Sequence, residues 1–220
     1  MRDSNLRHNF VNLHSRVWYH VRMIVIDVEA SGTDYDQHSI VSIGALDFDN
    51  PASRFYDECR IWDGAHIMDE ALEINGFSKE EITDKNKKSE GDLIRIFLQW
   101  AFTVSDRTLA GQNVSFDRDF IKAGCKRAGE NYPFAYRTID THTLAYMHII
   151  MNGQKPPFDS EKGHSALNLD AVLNYSGIPD EPEPHNALTG ALSHVEVISR
   201  LLYDKQLLPE FKQFSIPWVK

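Results

Sequence analysis

Met23-Ile24-Val25-Ile26-Asp27-Val28-Glu29-Ala30-Ser31-Gly32 is the stretch on which the reading of this chain turns. Residues 23–28 form a short apolar run that ends in acid, the pattern of a buried strand. Residues i and i+2 of a strand project from the same face, so Asp27 and Glu29 leave its end together. Two carboxylates at that range repel unless a cation lies between them, and hard oxygen donors suit Mg²⁺ or Mn²⁺. In a chain with 32 acids an Asp-x-Glu triplet is as readily a solvated strand end, so its meaning depends on its surroundings. Ala30, Ser31, Gly32 and Thr33 follow directly. These small residues let a sugar-phosphate approach the backbone, with amides and hydroxyls as donors.

Outward from this stretch, residues 39–48 and 54–62 read as two more strands, separated by the turn-forming Asp49-Asn50-Pro51. Such short connections favour an antiparallel meander. Helical patterns follow at 68–75 and 91–103, then a brief strand at 108–111. Ser115 is the expected N-cap of a helix running to Ala128. Residues 137–139 read as a fifth strand, with Asp140 or Thr141 capping a helix through Met151. Residues 152–164, with Gly153, Pro156, Pro157 and Gly163, read as a polar loop. The last helices are predicted at 167–175 and 187–203, with a proline-rich stretch at 179–184 between them. Strands first, then helix alternating with strand, predict an α/β fold. Its five-stranded mixed sheet has its first three strands antiparallel and is flanked by helices.

A length of 220 residues, 42% hydrophobic and 25% charged, suits one soluble globular domain. The expected division is an N-terminal extension at 1–22, a domain at 23–205, and a tail at 206–220 whose Phe211, Phe214 and Trp218 pack back onto it. No apolar run approaches the ~20 residues of a membrane helix, so no membrane partner is expected. Cys59 and Cys125 form no CxxC, which points to a reduced, cytoplasmic setting. A net charge of −9 argues against a broadly basic nucleic-acid clamp but leaves room for an enzyme gripping only a strand end. The first 22 residues carry Arg2, Arg7, Arg16 and Arg22 against Asp3 alone. They read as an arm, or as an extension ahead of a natural start at Met23. A transit peptide is the alternative.

Two further motifs join the first. Asn113-Val114-Ser115-Phe116-Asp117 places an acid in the first turn of a helix, and His185-Asn186-Ala187 opens the last helix behind Pro184. In this order the motifs resemble the DEDDh branch of the DnaQ-like 3′–5′ exonucleases, which have a ribonuclease-H-like fold. Ile40 through Ala45, Ile139-Asp140-Thr141, and His164-Ser165 with Leu167, Leu169 and Leu173 fit the intervening elements. The resemblance covers roughly 23–202, and the ordered set is far more specific than any one part.

The resemblance implies two Mg²⁺ or Mn²⁺ ions ~4 Å apart. Asp27 would bridge them, Glu29 would hold the ion on the side of the attacking water, and Asp117 would support the other. His185 would take the water's proton, as imidazole is suited to do near neutral pH. Ala30, Ser31, Gly32, Thr33, Asn113 and Phe116 would contact the substrate. The partners would be DNA or RNA 3′ ends, shortened to release nucleoside 5′-monophosphates.

The chain departs from this pattern at position 190, which is Gly where the third motif continues to Asp. Three readings follow: cleavage with another group completing the site, weakened or Mn²⁺-only cleavage, or a non-catalytic module that binds ends. His194, one turn further on the same helix face, could reach back as a compensating ligand. It is otherwise a residue of the surface or core edge. Arg118, Lys122, Lys126 and Arg127 could meet phosphates or simply solvate a helix face. Tyr35 is a candidate base-stacking wedge.

Overall fold

The computed structural model describes residues 21–220. The extension expected at 1–22 lies outside the described residues except for Val21 and Arg22. Five strands form one sheet: β1 (Ile24–Ala30), β2 (Ile40–Asp47), β3 (Arg54–Glu58), β4 (Leu109–Gly111) and β5 (Ile139–Asp140), in the order β3-β2-β1-β4-β5. β1, β2 and β3 pair antiparallel, and β4 and β5 join in parallel. This is the mixed sheet the sequence predicts. The helices are α1 (Asp69–Asn75), α2 (Lys79–Thr83), α3 (Glu90–Ala101), α4 (Ser115–Ala128), α5 (Thr141–Met151), α6 (Leu169–Tyr175) and α7 (Ala187–Tyr203).

The local reasons are readable residue by residue. Ser89 and Asp92 close a reciprocal capping box at the start of α3, and Asp140 caps α5 by accepting from the His142 amide at 2.9 Å. Ser115 is not the N-cap of α4. That place belongs to Val114, and the Ser115 hydroxyl turns to Asn113 Oδ1 at 3.3 Å instead of meeting a backbone amide. β3 ends at Glu58, short of the predicted 62. Beyond it the Cys59 amide still donates to the Val41 carbonyl of β2 at 2.9 Å, and Arg60 forms an isolated bridge with Ser89. The loop expected at 152–164 contains β6 (Phe158–Asp159), which pairs with β7 (His164–Ser165). Strands of two residues are too short to show a period.

The alternation of β1 divides the core in two. Ile24, Ile26 and Val28 face α3 and α4 with Ile43, Phe97, Phe120 and Ile121. Met23 and Val25 face α7, packing with Leu46, Ala191, Val195 and Ile198. By the same period Asp27 and Glu29 belong to the α7 side, at the end of the strand where α7 begins. β2 follows suit: Gly44 pairs with Asp27 and shares that side.

α7 also anchors the residues after it. Arg200, fully buried, pairs with the fully buried Glu196 at 2.8 Å. It donates to the carbonyls of Ser176, Phe211 and Phe214 at 2.9, 3.2 and 2.9 Å. Glu196 accepts the amides of Leu207 and Leu208, both at 2.9 Å. Trp218 donates to Asp204 at 2.8 Å and stacks on Tyr175. The buried ion pair is therefore satisfied on both partners, as such a pair must be to persist.

Candidate active site

β1 outruns its parallel partner. β4 pairs only with Ile24 and Val25, so the end of β1 at Val28 is left open to Asp117, which arrives in the first turn of α4. Asp117 is 3% exposed. It also lies near Asp140 on β5, whose charge further disfavours its ionisation. Three successive elements at one sheet end thus bring acids together.

The third motif is fixed from several sides. The His185 amide donates to the Ile74 carbonyl at the end of α1, 2.9 Å away. Asn186 caps α7, accepting from the Leu188 amide at 2.9 Å, and its own Nδ2 reaches Tyr56 on β3, also at 2.9 Å. The first turn of α7 rests directly on Gly44. A Cβ at that position would lie 2.0 Å from the Ala187 carbonyl oxygen. His185 therefore stands near Glu29 and Glu181.

Glu181 escapes the sequence reading. It lies in the proline-rich stretch, is 9% exposed, and is held by the Thr189 hydroxyl at 3.0 Å. A Cβ built at Gly190 would stand 2.3 Å from Asp27 Oδ2 and 3.3 Å from Glu181 Oε1. The gap left by glycine is thus bordered by two carboxylates. His194, the compensating ligand considered from sequence, is 1% exposed, and its Nδ1 lies 3.4 Å from the Ile26 carbonyl. Burial lowers its pKa to about 4, so it is neutral at pH 7. A neutral imidazole turned toward the backbone of β1 and β4 does not supply the missing negative charge. Its Nε2 is buried without a hydrogen-bond partner among the described residues.

Other expected contacts vary in availability. Ser31 is fully buried, and its hydroxyl is engaged by the His66 carbonyl and the Ser39 amide at 2.8 and 3.0 Å. Gly32 lies against the His38 ring. Thr33 and Asn113 are exposed, Asn113 in the left-handed conformation at φ 49° that its side chain tolerates. Phe116 leans on Phe120, with centroids 4.6 Å apart, and Tyr35 is exposed. Asn75 is structural, bridging α1 to the Ala30 carbonyl at 3.1 Å. Arg127 is paired with Glu90, and Arg118 with Asp119. Tyr35, Trp62, Lys122, Lys126 and Tyr132 line a groove beside α4 that includes none of the site's acids.

The electrostatics separate this cluster from ordinary buried acids. Glu90 and Glu196 are more fully buried than Asp27 and Glu29, and each holds an arginine. Among the described residues no Lys or Arg pairs with Asp27, Glu29, Asp117 or Glu181. Burial, first of all, raises Asp27 well above its ordinary value, and repulsion from Asp117, Glu29 and Glu181 adds to it. Burial carries Glu29 from 4.5 to about 7 and Asp117 from 3.8 to about 8. Among the described residues no three such groups already cage an ion, so side-chain rotation would have to close them around one.

A prediction follows with its sign fixed. An acid whose folded-state pKa is raised costs nothing below the unfolded value, where it is protonated in both states. It costs progressively more as pH climbs to the folded value. For Glu29 and Asp117 that window runs from about 4 to about 8. Thermal melts in EDTA are expected to show stability falling across it, with Mn²⁺ raising the melting temperature more at its upper end. Equal Mn²⁺ stabilisation at both ends would show that these acids are not held in repulsion.

The sheet order, the acids at its end and the histidine ahead of α7 define an exonuclease. The chain belongs to the exonuclease family designated RNase_T, whose model matches residues 24–198. It is 28% identical over 166 residues to a ribonuclease T of Vibrio vulnificus, covering 66% of this chain and 76% of that one. A ribonuclease T of Vibrio campbellii is 26% identical over 166 residues, covering 66% and 78%. Among solved structures, E. coli Exonuclease I with a dT13 oligonucleotide matches at a TM-score of 0.65 and 18% identity, over 81% of this chain and 41% of that one. Its complex with dA16 matches at 0.63 and 17%, over 84% and 41%. The chain thus spans about two-fifths of the length of those structures. Exonucleases of this type are generally dependent on divalent metals. An all-oxygen, uncompensated donor set of this kind fits such a cation. Among the described residues no helix is long and apolar enough to cross a membrane.

Proposed function

We propose that this chain is a 3′–5′ exonuclease that hydrolyses DNA or RNA from the 3′ end with Mg²⁺ or Mn²⁺ and releases nucleoside 5′-monophosphates. The observation that carries the reading is the uncompensated acid cluster beside His185, in a protein whose most deeply buried glutamates, Glu90 and Glu196, are neutralised by arginine. Asp27, Glu29 and Asp117 would hold the ions, which supply Lewis acidity at the phosphorus and the positive charge the cluster lacks.

The chain's own groups perform the rest. His185, tied by its amide to Ile74, accepts the proton of the attacking water. Water oxygen bonds to phosphorus, the P–O3′ bond breaks, and the departing 3′ oxygen takes a proton from solvent. Thr33 and the backbone from Ala30 follow the acids of β1 and would seat the terminal sugar-phosphate, with Asn113 ahead of α4 and Phe116 in its first turn. Ser31 acts from beneath by fixing that loop to Ser39 and His66. The relatives named ribonuclease T and the oligonucleotide complexes of Exonuclease I favour a nucleic-acid substrate.

The second reading, an end-binding module without catalysis, draws on Gly190 alone, and His185 has no purpose in it. The test is a time course on 5′-labelled single-stranded DNA and RNA with each metal. A ladder shortening from the 3′ end is expected, and the faster polymer identifies the preferred sugar. Retained binding of the labelled ends with no shortening in either metal would replace the enzyme by the binding module.

A further inference from the structure

We propose that Glu181 is the carboxylate that completes the metal site in place of the acid missing at position 190. The inference rests on the exonuclease reading above and names the group that lets it stand despite Gly190. Glycine has no side chain to coordinate with, so a ligand there must come from elsewhere in the fold. The atoms nearest to a Cβ at 190 are Asp27 Oδ2 and Cγ, at 2.3 and 2.8 Å, followed by Glu181 Oε1 at 3.3 Å. Glu181 therefore brings an oxygen to the space where a side chain at 190 would begin. With Asp27 placed as it is, an acid at 190 would collide with it. An acid at 190 would also press on Glu181 Oε1, so the carboxylate on the preceding loop borders the space that an acid on the helix would enter.

Glu181 is also built in and not merely nearby. Its side chain is folded inward from the proline-rich stretch to 9% exposure, while its neighbours Pro182 and Glu183 are exposed. The Thr189 hydroxyl donates to its Oε1 at 3.0 Å while sharing itself with the Asn186 carbonyl at 2.8 Å. Thr189 belongs to the first turn of α7, so the start of that helix orients this carboxylate. Nevertheless no Lys or Arg among the described residues neutralises it. A buried carboxylate oriented by a donor and set among other carboxylates has the form of a cation ligand.

The experiment is a titration of the full chain with Mn²⁺ alone, read by calorimetry and by the paramagnetic resonance of free Mn²⁺, for wild type and Glu181→Gln. Gln keeps the shape and can still accept from Thr189, but it loses the charge. Two sites are expected in wild type, with one weakened ~10-fold or more in Glu181→Gln. Cleavage is expected to fall while circular dichroism stays unchanged. Glu181→Asp, which keeps the charge on a shorter arm, is expected to fall between the two. It carries the same test should Glu181→Gln fold poorly. Unchanged Mn²⁺ uptake and cleavage in both variants would overturn the role of Glu181 and leave the exonuclease intact. Wild type that takes up no Mn²⁺ and cuts no substrate would remove the exonuclease reading and this inference with it.

Discussion

Asp27→Asn is expected to cut the rate of cleavage by ~10³-fold or more while leaving the metal-free protein as stable as wild type or more so. Several kcal/mol of transition-state stabilisation depend on an ion that the central carboxylate helps to hold, and ~4 kcal/mol corresponds to about three powers of ten. Stability moves the other way because desolvation and repulsion from Asp117, Glu29 and Glu181 disfavour the charge on Asp27, and Asn removes that charge at nearly constant shape. The paired measurement is a steady-state rate with saturating Mg²⁺ and a thermal melt in EDTA. A rate near wild type would remove Asp27 from the chemistry. A large fall in melting temperature would mean that its charge serves the fold.

Gly44→Ala is expected to damage both fold and site through one contact. The added methyl would meet the Ala187 carbonyl oxygen at 2.0 Å, its carbon at 2.1 Å and the Leu188 nitrogen at 2.4 Å. Those are backbone atoms, which cannot swing away as the end of a side chain can, so β2 and the start of α7 must separate. Overpacking costs ~1–3 kcal/mol, and a backbone clash belongs at the upper end. In a domain of this size ~3 kcal/mol lowers the melting temperature by about 6–12 °C. The same displacement carries away His185, which precedes α7, and Gly190 within it. A shift of ~1 Å in a catalytic group can cost ~10²-fold in rate. Melts and rates measured on one preparation check both. Wild-type activity in a destabilised Gly44→Ala would show that His185 is positioned by Ile74 alone.

Much of the fold is legible because strand alternation is a local property. The apolar run at 23–28, the turn at Asp49-Asn50-Pro51 and the helical patterns around 115–128 and 187–203 are written in neighbouring residues. They yield the sheet and its helices with boundaries shifted by a few positions. The errors have equally local causes. Ser115 is a good cap by type, but its hydroxyl bonds Asn113 instead of the helix. The β6–β7 hairpin is too short to register as a pattern.

The candidate site divides along the same line. By itself the sequence determined that Asp27 and Glu29 share a face, that Asp117 stands in the first turn of α4, that His185 stands just ahead of α7, and that position 190 holds no carboxylate. Each follows from spacing within one element. Only the tertiary structure decided which group borders the gap. Asp180, Glu181 and Glu183 are chemically alike and closely spaced in the chain, and nothing local selects the middle one. Glu181 is singled out because β1, α7 and the loop ahead of α7 converge on one point. Convergence of distant segments depends on packing, which no run of neighbouring residues encodes. The same packing directs His194 to the Ile26 carbonyl instead of the gap one helical turn away.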